Sequence, residues 1–238
     1  DGNILVQIVI RYIEEAIKLK YSKEKIKDGL EKNIFGFEID KNQFEKCISN
    51  LNLIAEKNGI HGVKWKIYNE DYLKSELNIQ FDFIVGNPPY ITYSDLSQDK
   101  RKFIKETYET CGQGKFDYCY AFIEQSIKCL SNEGKMSYLI PSSIFKTVFG
   151  DKLREFMSEN IVVIKDYTKE KIFDDALVKS AIIIFDKNNV SYIDYTLNYE
   201  EINSYIGDNI YYPKKNPKEI LLDNKYIDLL FENPELKA

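Results

Sequence analysis

The sequence predicts an α/β fold built on a mostly parallel, twisted sheet with helices on both faces, and three observations carry that expectation. Short apolar runs rich in β-branched and aromatic residues recur along the chain, segments of helical period separate them, and two β-rich runs near the end follow one another with no helix between. At 238 residues, 44% hydrophobic and 14% aromatic, the chain is long enough to bury one such core.

Taken in order, Asn3 to about Lys20 puts Ile4, Ile8, Tyr12, Ile13 and Ala16 on one helical face. IFGFEI (34–39) reads as a buried strand, and 41–57 as a helix through Phe44, Cys47, Ile48, Leu51 and Ile54. VKWKIY (63–68) is a weaker strand and FDFIVG (81–86) a strong one. A helix over 116–130 uses Phe116, Cys119, Tyr120, Ile123, Ile127 and Leu130, followed by the strand KMSYLI (135–140). Ser142 to Ser158 reads as a fourth helix capped near Pro141-Ser142. IVVIKDY (161–167) and SAIIIFD (180–186) are the last strong strands, and SAIIIFDKNNVSYIDY folds about a Lys-Asn-Asn turn into a late antiparallel element.

Strands alternating with helices of this length form βαβ units, hence the parallel sheet. After about Tyr195 the sequence turns polar and Pro-containing, so 1–195 is expected to be the folded catalytic domain and 196–238 a connector ending in a short helix. The chain opens DGNILVQ without an initiator Met, and the expectation is a fragment of something longer.

The net charge of -5 argues against a protein that holds nucleic acid by bulk electrostatics, though not against a catalytic domain whose phosphate contacts come mainly from another module. No apolar run approaches the roughly 18 residues a membrane span needs, and no signal peptide opens the chain, so a cytoplasmic location away from membranes is expected. Cys47, Cys111, Cys119 and Cys129 form no CxxC pair and His61 is the sole histidine, so the thiols are expected free and no metal site is expected.

In open α/β sheets ligands sit beyond the carboxyl ends of the strands, which directs attention to the residues after each one. After FDFIV comes Gly86-Asn87-Pro88-Pro89-Tyr90. Two prolines fix two φ angles and push Asn87 toward an extended conformation, so the loop is stiff. The Asn87 side-chain carbonyl and the Pro88 carbonyl then form two acceptors for one amino group, and Tyr90 offers a flat face to a planar ring. Such a pocket suits adenine N6, a cytosine amine or a carboxamide. Taken alone, the Pro-Pro dipeptide is better explained by an ordinary turn after a buried strand. The context shifts that balance, because acids end two other strands. Glu38 can accept both hydroxyls of a ribose, while Asp40 better fits a helix cap. Asp71 can accept from an exocyclic amine, with Tyr72 packing on the ring. Between Tyr90 and Lys115, Lys100, Arg101, Lys102 and Lys105 either touch phosphates or form a solvated helix face with Phe103 and Ile104 turned inward. Asp174-Asp175 is assigned a turn role.

Together these residues resemble the gamma-class N6-adenine DNA methyltransferases of bacterial restriction-modification systems, from residue 1 to about residue 187. GNPPY (86–90) matches the catalytic motif, with Asn87, Pro88, Pro89 and Tyr90. FGFEID (35–40) matches the cofactor ribose motif, with Glu38 and Ile39, and EDYL (70–73) the cofactor adenine motif, with Asp71 and Tyr72. KFDYCYAFIEQSIKCL (115–130) resembles the following helix, in which Phe122 lies against the cofactor. GKMSYLIPSSIF (134–145) matches the next strand and turn, and KIFDDALVKSAIIIF (171–185) the late motif, in which Phe173 stacks on the target base opposite Tyr90.

The resemblance implies a Rossmann-like fold dependent on S-adenosylmethionine, with an adenine flipped out of double-stranded DNA, its N6 held by Asn87 and Pro88. Of the family's Gly-rich first motif only Asp1-Gly2-Asn3 is present, with Gly2 the remaining cofactor contact. The first strand is therefore expected to be missing, leaving two strands without their central neighbour. A recognition module or restriction subunit is expected as a partner in the complete protein. The rival readings are a methyltransferase acting on protein glutamine or RNA amines, and a non-catalytic fragment of a bifunctional restriction-modification enzyme.

Overall fold

The protein is described from a computed structural model covering residues 2–75, 77–145, 147–157, 160–167, 179–188, 194–197 and 200–201. It divides into two compact units, Asp1–Glu76 and Leu77–Ala238.

In the first unit, α1 (Asn3–Lys18), α2 (Lys23–Asn33), β1 (Phe35–Phe37), α3 (Lys41–Lys57) and β2 (Lys66–Tyr68) follow one another. The return through α3 makes β1 and β2 parallel, with Gly36 opposite Ile67. Val9, Ile13 and Ala16 of α1, Leu30 of α2, and Cys47, Leu51 and Ala55 of α3 form the core with Ile67. Helix α2 has no counterpart among the expected elements: seven of the eleven residues of KEKIKDGLEKN are charged, and its two apolar core contacts, Ile26 and Leu30, make too narrow a stripe to register. Its local signal is the Ser22 side chain, which accepts from the Lys25 amide at 3.2 Å.

The second unit contains β3 (Phe81–Gly86), α4 (Gln98–Thr107), α5 (Cys119–Cys129), β4 (Leu130–Pro141), α6 (Asp151–Met157), β5 (Ile161–Asp166), β6 (Ser180–Asp186), β7 (Asp194–Leu197) and β8 (Glu200–Glu201). Its sheet has the order β3-β4-β6-β5-β7-β8. Strands β3, β4, β5 and β7 run one way, while β6 and β8 run against them. The expected strands all form, but hydrogen bonding distributes them over two sheets, β1 and β2 in one and the rest in the other. Phe83 and Val85 on β3 are 74% and 49% exposed. All four cysteines are free and buried.

Two expectations need correction. The late antiparallel strand exists, but β6 and β7 do not form a hairpin: β6 lies between β4 and β5, and β7 joins the other side of β5. Ala181, Ile183 and Phe185 are buried and Ile182 and Ile184 half-buried, so a near-continuous apolar strand covered on both faces belongs in the sheet interior.

The helix expected over 142–158 is also interrupted. Two 3-10 turns, Ser142–Phe145 and Val148–Gly150, precede the shorter α6. The carbonyls of Ile144 and Thr147 each accept from the buried Arg154 guanidinium at 2.8 Å instead of continuing an α ladder. Gly150 permits that approach, since a Cβ there would lie 2.7 Å from Arg154 Nη1. Arg154 also pairs with Asp151. Arg154→Leu strands these carbonyls and should lower unfolding free energy by roughly 2–4 kcal/mol. The check is a urea titration, in which the midpoint falls with little change in slope; an unchanged midpoint would mean that water replaces the guanidinium.

Candidate active site

Strand ends in each unit carry the candidate residues. In the first unit β1 runs into Glu38, Ile39 and Asp40. Asp40 caps α3, its carboxylate accepting from the Gln43 amide at 2.8 Å. Glu38 therefore stays outside the cap. Its Oε1 accepts from the Asp40 amide at 3.0 Å, and Oε2 has no protein partner among the described residues. Ile39 is 63% exposed.

Strand β2 ends beside them. The Glu38 amide donates to the Tyr68 carbonyl at 3.0 Å, and Asn69 Nδ2 donates to the carbonyls of Glu38 and Ile39 at 2.7 and 3.2 Å. Asn69 thus ties the two strand ends together, a role that sequence reading did not assign; its only signal was its position directly after a strand. Asp71 Oδ1 accepts from the Leu73 amide at 3.1 Å and caps the 3-10 turn Tyr72–Lys74. The Tyr72 ring meets Phe37 at 5.3 Å between centroids, and Phe37 stacks on Tyr68 at 5.4 Å.

Gly2 joins this end through α3. It precedes α1 with φ 74°, and a Cβ there would fall 2.4 Å from Cys47 Sγ, so glycine is demanded by both backbone and space. Burial pushes the Cys47 thiol up, and the nearby Glu38 carboxylate adds to that shift. The first unit therefore gathers Gly2, Glu38, Ile39, Asp71 and Tyr72 around the ends of its two strands.

In the second unit β3 delivers the GNPPY turn. Gly86 lies under the Tyr138 ring of β4, where a Cβ would approach Tyr138 Cε1 to 2.7 Å. The Tyr138 hydroxyl is bonded to Ser126 of α5 at 2.6 Å. Pro88 is buried while Asn87 and Pro89 are exposed, so the turn is anchored by one proline and presents the Asn side chain. Beyond it, the Ile91 carbonyl accepts from the Tyr118 amide at 2.9 Å, fixing the turn to the start of α5. One helical turn on, Phe122 is half-buried with its ring 5.1 Å from Tyr118.

Tyr90 is half-buried, but its hydroxyl oxygen is fully so and makes no complete hydrogen bond. The exposed part of the residue thus excludes the hydroxyl. Burial pushes the phenol up to about 12, with nearby Ser180 at the start of β6 acting in the opposite direction. Phe173 and Asp174-Asp175 fall outside the described residues.

The family model of the Eco57I restriction-modification methylases matches residues 8–173. The type II restriction enzyme and methyltransferase RM.Eco57I of Escherichia coli is 34% identical over 117 residues, covering 47% of this chain and 12% of that protein. The type II methyltransferase M.AccI of Acinetobacter calcoaceticus is 27% identical over 178 residues, 72% of this chain and 31% of its own. The chain thus spans less than a third of the length of these two relatives. A Listeria monocytogenes structure assigned to the class I S-adenosylmethionine-dependent methyltransferases superposes with a TM-score of 0.52 at 16% identity, over 98% of this chain and 70% of that one.

The Tyr90 phenol keeps its proton in the folded state where the unfolded chain has released it. Its contribution to stability is therefore intact below the ordinary phenol value of 10 and is lost as pH rises through about 12. In a rapid pH-jump ultraviolet titration, Tyr90→Phe should remove a phenol ionising near 12. Loss of one ionising near 10 instead would place the hydroxyl in solvent.

Proposed function

The chain belongs to the Eco57I restriction-modification methylase family, and we propose on that premise that it is the catalytic part of a DNA methyltransferase carrying a methyl group from S-adenosylmethionine to N6 of an adenine flipped out of duplex DNA. The observation that carries this reading is the GNPPY turn. Asn87 stands exposed between a buried Pro88 and a Gly86 overlaid by Tyr138, so the backbone that carries both oxygen acceptors is held at the end of β3 beside the half-exposed Tyr90.

The first unit suits an adenosyl group. Glu38 has a carboxylate oxygen left to accept ribose hydroxyls, and Asp71 retains an oxygen beyond its turn cap for an exocyclic amine. Exposed Ile39 and the ring of Tyr72 offer apolar surface to a base, and Gly2, the cofactor contact implied by the family, packs closely against Cys47 of α3. Phe122 of α5 is the further cofactor contact implied by the family. S-adenosylmethionine, when bound, supplies a methyl group activated by a positively charged sulfur.

The remaining work falls to this chain's side chains. Asn87 Oδ1 and the Pro88 carbonyl accept the two N6 hydrogens, which draws the amine out of conjugation with its ring and frees its lone pair. Tyr90 stacks on one face of the base and Phe173 on the other. No general base is required before attack, because the acceptors hold the nitrogen in position and stabilise the positive charge that develops on it. In the family's setting the complete protein reads its DNA site through a further module.

Long-read methylation mapping of cells expressing the complete gene should reveal N6-methyladenine at one sequence. Asn87→Ala should remove the mark, with a rate loss of about a hundredfold or more, while S-adenosylmethionine binding by calorimetry stays within about twofold. A mark on cytosine, on RNA or on protein glutamine would overturn the adenine assignment, as would full activity of Asn87→Ala. Tyr90→Ala should weaken capture of the extruded base by about 1–3 kcal/mol, read from the fluorescence of 2-aminopurine placed at the target position.

A further inference from the structure

We propose that α4, the helix that follows the GNPPY turn, is the surface through which this catalytic unit grips the DNA phosphates flanking the target nucleotide. The inference rests on the DNA-methyltransferase reading and adds to it the element that holds the backbone. Within Gln98–Thr107 there are four cations, Lys100, Arg101, Lys102 and Lys105, against two acids, Asp99 and Glu106, in a chain whose net charge is -5. Elsewhere the cations found in ion pairs have near neighbours of opposite charge: Lys18 with Glu15, Lys32 with Asp28, Lys135 with Asp186. None of the four on α4 pairs with a carboxylate among the described residues.

Aromatic rings position three of them. Lys100 Nζ lies 4.4 Å from the centre of the Tyr118 ring, while the Arg101 guanidinium and Lys105 Nζ lie 4.7 and 5.1 Å from that of Tyr93. A π face orients a cation without neutralising it, so full charge remains for a phosphate. The helix beneath is fixed at both ends. Arg101 donates to the Ser94 carbonyl at 2.7 Å ahead of it. After it, the amides of Glu109 and Thr110 donate to buried Glu124 of α5 at 3.1 and 2.8 Å. Ile104 is fully buried, so the helix cannot roll its cations away without uncovering the core.

The same rings lead back to the catalytic turn. Tyr93 is three residues beyond Tyr90, and the Tyr118 amide, whose ring lies under Lys100, is the one bonded to Ile91. Lys100 is therefore mounted on a residue that fixes the turn, and Arg101 and Lys105 on a ring three residues beyond it. A base leaves the stack by rotation about its own backbone, so a cationic grip on the neighbouring phosphates is what that motion requires of the protein.

The test is salt-dependent binding of the full chain to a duplex bearing a mismatched adenine, followed by fluorescence anisotropy. The variant Lys100→Gln/Lys102→Gln/Lys105→Gln should flatten the plot of log affinity against log salt by about 3, near 0.9 for each lost contact. Lys18→Gln/Lys20→Gln/Lys32→Gln, with the same change in net charge, should leave the slope as it was. Lys102→Gln alone, at an exposed position, should flatten it by about 1 and guards against a folding defect in the triple variant. An unchanged slope in the α4 variants, or equal flattening in both sets, overturns the proposal. Wild-type chain that binds DNA through α4, while the complete gene leaves no N6-methyladenine, would sink the adenine reading and leave this surface standing; wild-type chain that binds no DNA would sink this surface and leave the adenine reading to the methylation map.

Discussion

The turn after β3 is held from three sides, and the chemistry assigned to this chain depends on that restraint. Tyr138 covers Gly86, Pro88 is buried, and Tyr118 takes the Ile91 carbonyl. Two acceptors can select an amine only if they do not relax toward water or toward one another when the amine is absent. Proline supplies part of this stiffness through its fixed φ, and packing supplies the rest. Because Tyr138 is also bonded to Ser126 of α5, one ring connects the strand before the turn to the helix after it.

Electrostatics in the second unit follow a related logic. Glu124 is buried, which by itself would raise its pKa, yet Lys128 and the amides of Thr110 and Glu109 outweigh burial and keep it ionised. That buried charge fastens the segment after α4 to α5. Three of the four cations of α4 meet rings rather than acids, and the fourth, Lys102, is exposed. An acidic chain can therefore present a locally basic surface without changing its overall balance.

Much of this was legible in the sequence where a single physical rule dominated. FDFIVG, SAIIIFD and the 41–57 helix have the boundaries read from them, because a run of β-formers or an unbroken apolar stripe had no competitor. Asp40 was separable from Glu38 as the helix cap by position alone, and the structure divides their roles that way. Reading failed where the deciding contact lay outside the helical or strand period. Nothing local in 142–158 announces that Arg154 will take the carbonyls of Ile144 and Thr147, so the interruption looked like helix. The Lys-Asn-Asn segment suggested a hairpin, although a strand apolar on both faces requires neighbours on each side. Asn69 carried no pattern, since tying two strand ends depends on how they come together.

The four buried thiols make the chain its own reporter of opening. Cys47 of α3 lies against Gly2 in the first unit, and Cys111, Cys119 and Cys129 lie in the second, each buried. Burial raises the ionisation of Cys111 to about 12 and pushes that of Cys119 well above the usual thiol range. A disulfide reagent must therefore wait for the protein to breathe, and the order in which the sulfurs are labelled records which unit loosens first.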